Sequence, residues 1–165
     1  HVETEKLLAE SGIPFALLRN GWYSENYLAS APAALAHGVF IGAAGEGKIA
    51  SATRADYAAA AARVISEEGH AGKVYELAGD KAWTLSDLAA LLSEASGKKV
   101  VYQNLSEADF AAALKGAGLP DGLAEMLADS DIGASKGGLF DDSQTLSKLI
   151  GRPTTSIADS VNDLL

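Results

Sequence analysis

The stretch Phe15-Ala16-Leu17-Leu18, entered through Pro14 and closed by Arg19 and Asn20, limits most sharply what this chain can fold into. Successive side chains of a strand point to opposite faces, so a run that is apolar at every position has no wet face. Such strands belong to parallel sheets with helices on both sides. A parallel strand is therefore expected over residues 13–19, with Leu17 and Leu18 nearly inaccessible and Trp22 against a cavity.

The rest of the chain fits that scheme. Residues 2–12 follow a helical period with Leu7 and Leu8 on one face and Gly12 as a left-handed stop. A helix is expected over 24–37, ending at His37-Gly38. "VFIG" and "KIAS" read as short extended pieces around the turn "AAGEG". Thr53 with Asp56 forms a capping box for an alanine-rich helix over 55–67. "KVYELAG" and "KKVVYQNL" read as strands. Thr84 with Asp87 opens a helix with Leu85, Leu88, Leu91 and Leu92 inward, ended by Gly97. Ser106 with Asp109 opens another, carrying Phe110 and Leu114. A short helix with Leu123, Met126 and Leu127, a loop over 130–138, and helices over 142–150 and 157–165 complete the chain. Strands alternating with helices make an α/β fold, and the helix-rich tail makes a smaller cap beside the sheet.

At 165 residues the chain has the size of one domain, long enough to bury roughly 70% of the surface of its unfolded form. A hydrophobic share of 48% against 21% charged residues is that of a globular chain. The net charge of −9 argues against nucleic acid and anionic membrane as partners, both of which need a basic surface. With no cysteine there is no disulfide and no thiolate metal site, which fits a cytoplasmic protein. The longest apolar stretches are too short to span a bilayer, and the start carries no signal-peptide pattern. The chain opens on His1 and runs directly into a helix pattern, so a piece of something longer is expected.

Few motifs carry chemistry. His1, His37 and His70 form no metal-binding pair, and the latter two read as residues at helix ends. There is no GxSxG elbow and no phosphate-binding glycine loop. Asp129, Asp131, Asp141 and Asp142 lack calcium-loop spacing and read as a solvated face. The stretch from Arg19 to Tyr27 stands apart. Arg19 is the only strong base between Lys6 and Lys48, at a strand end where ligands of open α/β sheets bind. Asn20 and the amides after it suit a carboxamide or a phosphate, and Trp22, Tyr23 and Tyr27 suit a planar ring. Equally, Arg19 could pair with a carboxylate such as Asp56, with the aromatics as core.

The segment "HVETEKLLAESGIPFALLRNGWYSENYL", followed by "FIGAAGEGKIASATRADYAAAAARVI", "KVYELAGDKAWTL" and "GRPTTSIADSVNDL", resembles the second half of an atypical short-chain dehydrogenase/reductase. It is similar, more narrowly, to the NmrA-like NAD(P)H:quinone oxidoreductases. The resemblance implies the C-terminal portion of a Rossmann-like parallel sheet over residues 1–80, interleaved with cap segments, and a helix-rich substrate or cap region over 81–165. It implies NADPH as cofactor, a quinone as substrate, and Asn20, Gly21, Trp22, Tyr23, Ser24 and Glu25 beside the nicotinamide half. Asn20, Tyr23 and Asn26 are the expected catalytic hydrogen-bond donors, and Trp22, Tyr27 and Phe40 the expected walls. His1 falls where classical members carry the lysine of YxxxK. The glycine loop for the pyrophosphate belongs to the other half of such proteins, so the chain alone should bind NADPH weakly. The strand at 15–19 should pair with that N-terminal half or with a second copy. The alternatives are a dinucleotide-sensing regulator without turnover and an inactive proteolytic remnant.

Overall fold

Each strand pairs with one far away in sequence, and both pairings are parallel. The computed structural model describes residues 1–165. In one two-stranded sheet β1 (Leu17–Asn20) lies beside β3 (Val74–Leu77), with Leu17 opposite Val74 and Asn20 opposite Leu77. In the other, β2 (Val39–Gly42) lies beside β4 (Val101–Asn104), with Val39 opposite Val101 and Gly42 opposite Asn104. Parallel neighbours cannot be joined by a tight turn, so helices carry the chain back each time. These are α1 (Val2–Glu10), α2 (Ser24–Leu28), α3 (Ala31–His37), α4 (Arg54–Ser66), α5 (Leu85–Ser96), α6 (Glu107–Gly116), α7 (Asp121–Ser135), α8 (Thr145–Ile150) and α9 (Ile157–Leu164). The fold class is α/β, as expected. None of the helices is long and apolar enough to cross a membrane.

The principal core gathers Phe40, Ile49, Trp83, Leu85, Leu88 and Leu92 among its buried side chains. Half of these come from α5, where Thr84 and Asp87 form a complete capping box and Gly97 closes the helix in the left-handed conformation. Leu85, Leu88 and Leu92 are sealed, while Leu91 packs at the margin. A second cluster lies under the β1–β3 sheet. There Leu18 and Tyr75 pack around Tyr57, Ala60, Leu77 and Leu146, supplied by α4, β3 and α8.

Several expectations need correction. β1 begins at Leu17 rather than at residue 13, although Phe15 already accepts a hydrogen bond from the Gly72 amide at 2.7 Å. Pro14 has no N–H to contribute to a ladder. Leu17 and Leu18 are half-buried, not inaccessible: Leu17 shares the uncovered face with Val74, and Leu18, though packed on the α4/α8 side, borders an open groove along α4. Val74 itself is 49% exposed, and α1 buries no residue at all. The helix over 24–37 is two helices, broken at Ala29-Ser30, with Pro32 in the first turn of α3 where its missing N–H costs nothing. Residues 130–138 are not a loop throughout: α7 runs unbroken to Ser135. Its inward face is Ala124, Ala128, Asp131 and Ala134, whereas Leu123 and Met126 are exposed. His70 lies beyond the end of α4, and its Nδ1 sits 2.7 Å from the Tyr75 hydroxyl.

Candidate functional site

β1 and β3 end side by side, and the chain leaving each turns away. Between their carboxyl ends opens a cleft of about 450 Å³, walled by Asn20, Gly21 and Trp22 on one side, Leu77 and Ala78 on the other, and Leu139 above. The backbones are close here. The Gly21 amide donates to the Leu77 carbonyl at 2.8 Å, and a Cβ at residue 21 would stand 3.0 Å from that same oxygen. The glycine is therefore dictated by the approach of β3.

Arg19 is fully engaged. Its Nε and Nη2 donate to Glu5 at 2.9 and 2.6 Å, and its Nη1 donates to Glu76 at 2.6 Å. Hydrogen bonds to Glu5 first and Glu76 second push its pKa further up. The pairing with Asp56 considered from the sequence does not occur. Asp56 is buried and takes Arg152 instead, Nη1 to Oδ1 at 2.7 Å.

After Gly21 the chain is fastened from both sides. Trp22 and Ser24 exchange backbone hydrogen bonds with Ala52, at 3.2 and 3.0 Å. Ser24 is fully buried; its Oγ lies 2.8 Å from Ser51 Oγ, which also accepts from the Trp83 indole N–H at 3.1 Å. Tyr23 sits edge-on to Tyr57 with ring centroids 5.3 Å apart, and the Arg54 guanidinium lies 5.1 Å from the Tyr23 centroid. Asn20 Nδ2 donates a long 3.4 Å bond to the Tyr23 hydroxyl. Glu25 accepts from the first amide of α4, Arg54 N, at 2.9 Å, while Arg54 Nη2 donates to Asn26 Oδ1 at 3.0 Å. Asn26 thus keeps its Nδ2 donor free.

A second, smaller cavity of about 60 Å³ lies behind Trp22, lined by Asn26, Tyr27, Phe40, Phe110 and Asp131 among others. The three expected wall residues, Trp22, Tyr27 and Phe40, meet here. Of the expected donors only Asn26 joins them; Asn20 borders the larger cleft, and Tyr23 borders neither. Trp22 lines both spaces.

Asp131 is the residue that sequence reasoning missed. It is 5% exposed, not solvated, and its Oδ2 accepts from the Ala43 amide at 2.8 Å. Burial pushes its pKa up, opposed by that single hydrogen bond. The available signal was its helical spacing from Ala124, Ala128 and Ala134, hidden by the glycines that made the segment look like a loop. His1 is exposed, and its side chain makes no cap hydrogen bond to α1. No group of three or more histidine or acidic side chains is placed to hold a metal.

No protein-family model matches the chain. It is 82% identical to quinone oxidoreductase 2 of Escherichia coli over 164 residues, which is 99% of this chain and 57% of the relative. The solved structure of that E. coli NADPH-dependent quinone oxidoreductase with NADPH superimposes with a TM-score of 0.97, over 99% of this chain and 58% of the other. A Citrobacter triphenylmethane reductase solved with NADP(H) is 38% identical, with a TM-score of 0.94 over 100% of this chain and 58% of that one. An NmrA-like family domain-containing oxidoreductase of Aspergillus flavus is 26% identical over 121 residues, 67% of this chain and 36% of the relative. The chain's neighbours thus include NmrA-like family proteins. The chain matches the C-terminal part of the E. coli quinone oxidoreductase and spans little more than half of its length.

Proposed function

We propose that this chain is part of an NADPH-dependent quinone oxidoreductase, and that the cleft at the ends of β1 and β3 receives the nicotinamide half of the cofactor. The cleft itself carries the reading: parallel strand ends are where such sheets bind ligands, and its wall is the Asn20-Gly21-Trp22 turn. The names of the E. coli relative and of its NADPH complex support the choice of cofactor and acceptor. The residues fit a carboxamide and a ring better than a pyrophosphate. The one base in the wall, Arg19, is held by two carboxylates, and Asp141 adds a negative charge.

NADPH, when bound, supplies a hydride. The chain's part is to orient the ring, exclude water and stabilise charge on the acceptor oxygen. In this reading Asn20, Gly21 and Trp22 meet the cofactor directly. Tyr23, Ser24 and Glu25 belong to the same cofactor-binding segment and keep it in place through Tyr57, Ser51 and Arg54. Asn20, Tyr23 and Asn26 are the proposed donors, with residues 1–80 forming the cofactor side and 81–165 the cap. The same reading gives a cytoplasmic enzyme whose remaining length supplies the pyrophosphate site.

Stopped-flow oxidation of NADPH by 1,4-benzoquinone in the full-length protein is the test. Rapid single-turnover oxidation is expected. Tight NADPH binding without oxidation would instead favour the dinucleotide-sensing alternative. In calorimetry the 165-residue chain alone should bind NADPH more weakly than low micromolar.

A further inference from the structure

The small cavity behind Trp22 pairs an apolar lining with one buried carboxyl. Its walls come from Trp22 just before α2, Tyr27 of α2, Phe40 of β2, and Phe110 and Leu114 of α6. Asp131 reaches it from α7 with Oδ2 already occupied by the Ala43 amide, while Oδ1 has no protein partner. None of the chain's ion pairs includes Asp131 (the seven pairs lie elsewhere). A buried carboxyl with no cation beside it favours its neutral form. With Oδ2 accepting from Ala43, a proton on this carboxyl belongs on Oδ1, and Asp131 is among the residues that line the cavity.

We propose that this cavity is a binding site for the carbonyl edge of a planar, uncharged acceptor, with the Asp131 Oδ1–H donating a hydrogen bond to the carbonyl oxygen. A volume of about 60 Å³ has room for a few waters, hence for the edge of a ring rather than a whole one. The remainder of the ring would lie along Trp22 toward the larger cleft, which the same indole lines. Asn26 also lines the space and, with its Oδ1 taken by Arg54, its Nδ2 is the second candidate donor. A carbonyl is favoured over an anion because the apolar lining offers no base and a carboxylate at Asp131 would repel it. The choice of a quinone as the ligand, but not the site, rests on the reading above.

The other ionisable groups near Asp131 are the phenols of Tyr27 from α2 and Tyr102 from β4. Burial raises both, Tyr102 to about 12. Both phenols therefore stay neutral while the Asp131 carboxyl titrates. An ionised Asp131 can only accept, so acceptor binding should weaken as pH rises through its elevated pKa.

The experiment is titration of the full-length protein, without cofactor, with 1,4-benzoquinone, followed by quenching of tryptophan fluorescence from pH 5 to pH 9. Wild type should weaken about tenfold toward high pH, the usual worth of one neutral hydrogen bond. Asp131→Asn keeps an acceptor for Ala43 and a donor for the cavity, so its binding should stay within twofold across the range. Asp131→Leu should bind about tenfold more weakly at pH 5. Absence of binding, a wild-type profile as flat as that of Asp131→Asn, or unchanged binding in a folded Asp131→Leu would each overturn the proposal. NADPH oxidation separates the two ideas. Turnover with Asp131-independent binding sinks this site alone, whereas Asp131-dependent binding without turnover sinks the oxidoreductase reading alone.

Discussion

Asp56 shows how much a single side chain can hold. It is fully buried at the start of α4, yet its oxygens reach Arg152 at 2.7 Å, the Thr155 amide at 2.9 Å and the Thr53 hydroxyl at 3.0 Å. It thereby fastens the segment before α9 to α4. Burial raises its pKa, but the Thr155 amide, Arg152 and Thr53 outweigh it and the net shift is downward. A carboxyl with a depressed folded pKa contributes stability that is present above its unfolded value, near 3.8, and lost as pH falls through the folded value. Asp56→Ala should therefore cost about 3 kcal/mol at pH 7, the low end for breaking a buried pair because Arg152 is half exposed. In urea unfolding the difference from wild type should shrink as pH falls below about 3.8. The sequence disclosed Asp56 only as a helix cap. Thr53 does accept from the Asp56 amide, but the carboxylate's main partners lie 96 to 99 residues away, and no local pattern records them.

Elements whose stop and start signals are local were legible: α5, α6 and α9 begin at the serine or threonine that caps them. Elements held by small residues were not. α7 buries alanines and one aspartate, so the usual large apolar markers sit on its outer side. Glycines separate the two situations experimentally. Gly133, within α7, has open space where a Cβ would go, and Gly133→Ala should stabilise by about 0.5–1 kcal/mol. Gly79 follows β3, and a Cβ there would collide with the Ser51 carbonyl. Gly79→Ala must displace the 50–52 segment that fastens Trp22 and Ser24, and should cost more than about 3 kcal/mol. Thermal unfolding should show the first variant melting roughly 1–4 °C higher and the second far lower or unfolded. The cleft was legible because a strand end followed by Asn-Gly-Trp is visible in one dimension. The cavity was not, since its walls come from α2, β2 and α6 and its key carboxyl from α7.

Taken whole, the molecule is unevenly supported. The principal core surrounds α5 and β2, whereas β1 and β3 are covered on one face only. Hydrogen exchange should reflect this, because local opening follows the density of buried contacts. The Leu88 amide, bonded to the Thr84 carbonyl at 3.1 Å, should exchange at least about tenfold more slowly than that of Leu17, bonded to Lys73 at 2.9 Å. Comparable protection at both amides would contradict the uneven core. The parallel pairings also bear on how the chain is born. Leu17 meets Val74 and Val39 meets Val101, so each early strand waits for about sixty further residues before its partner exists. At ribosomal rates that is roughly 3–12 seconds. During that interval β1 and β2 each lack the parallel neighbour that they finally pair with, and newly made copies on one messenger are each other's nearest company.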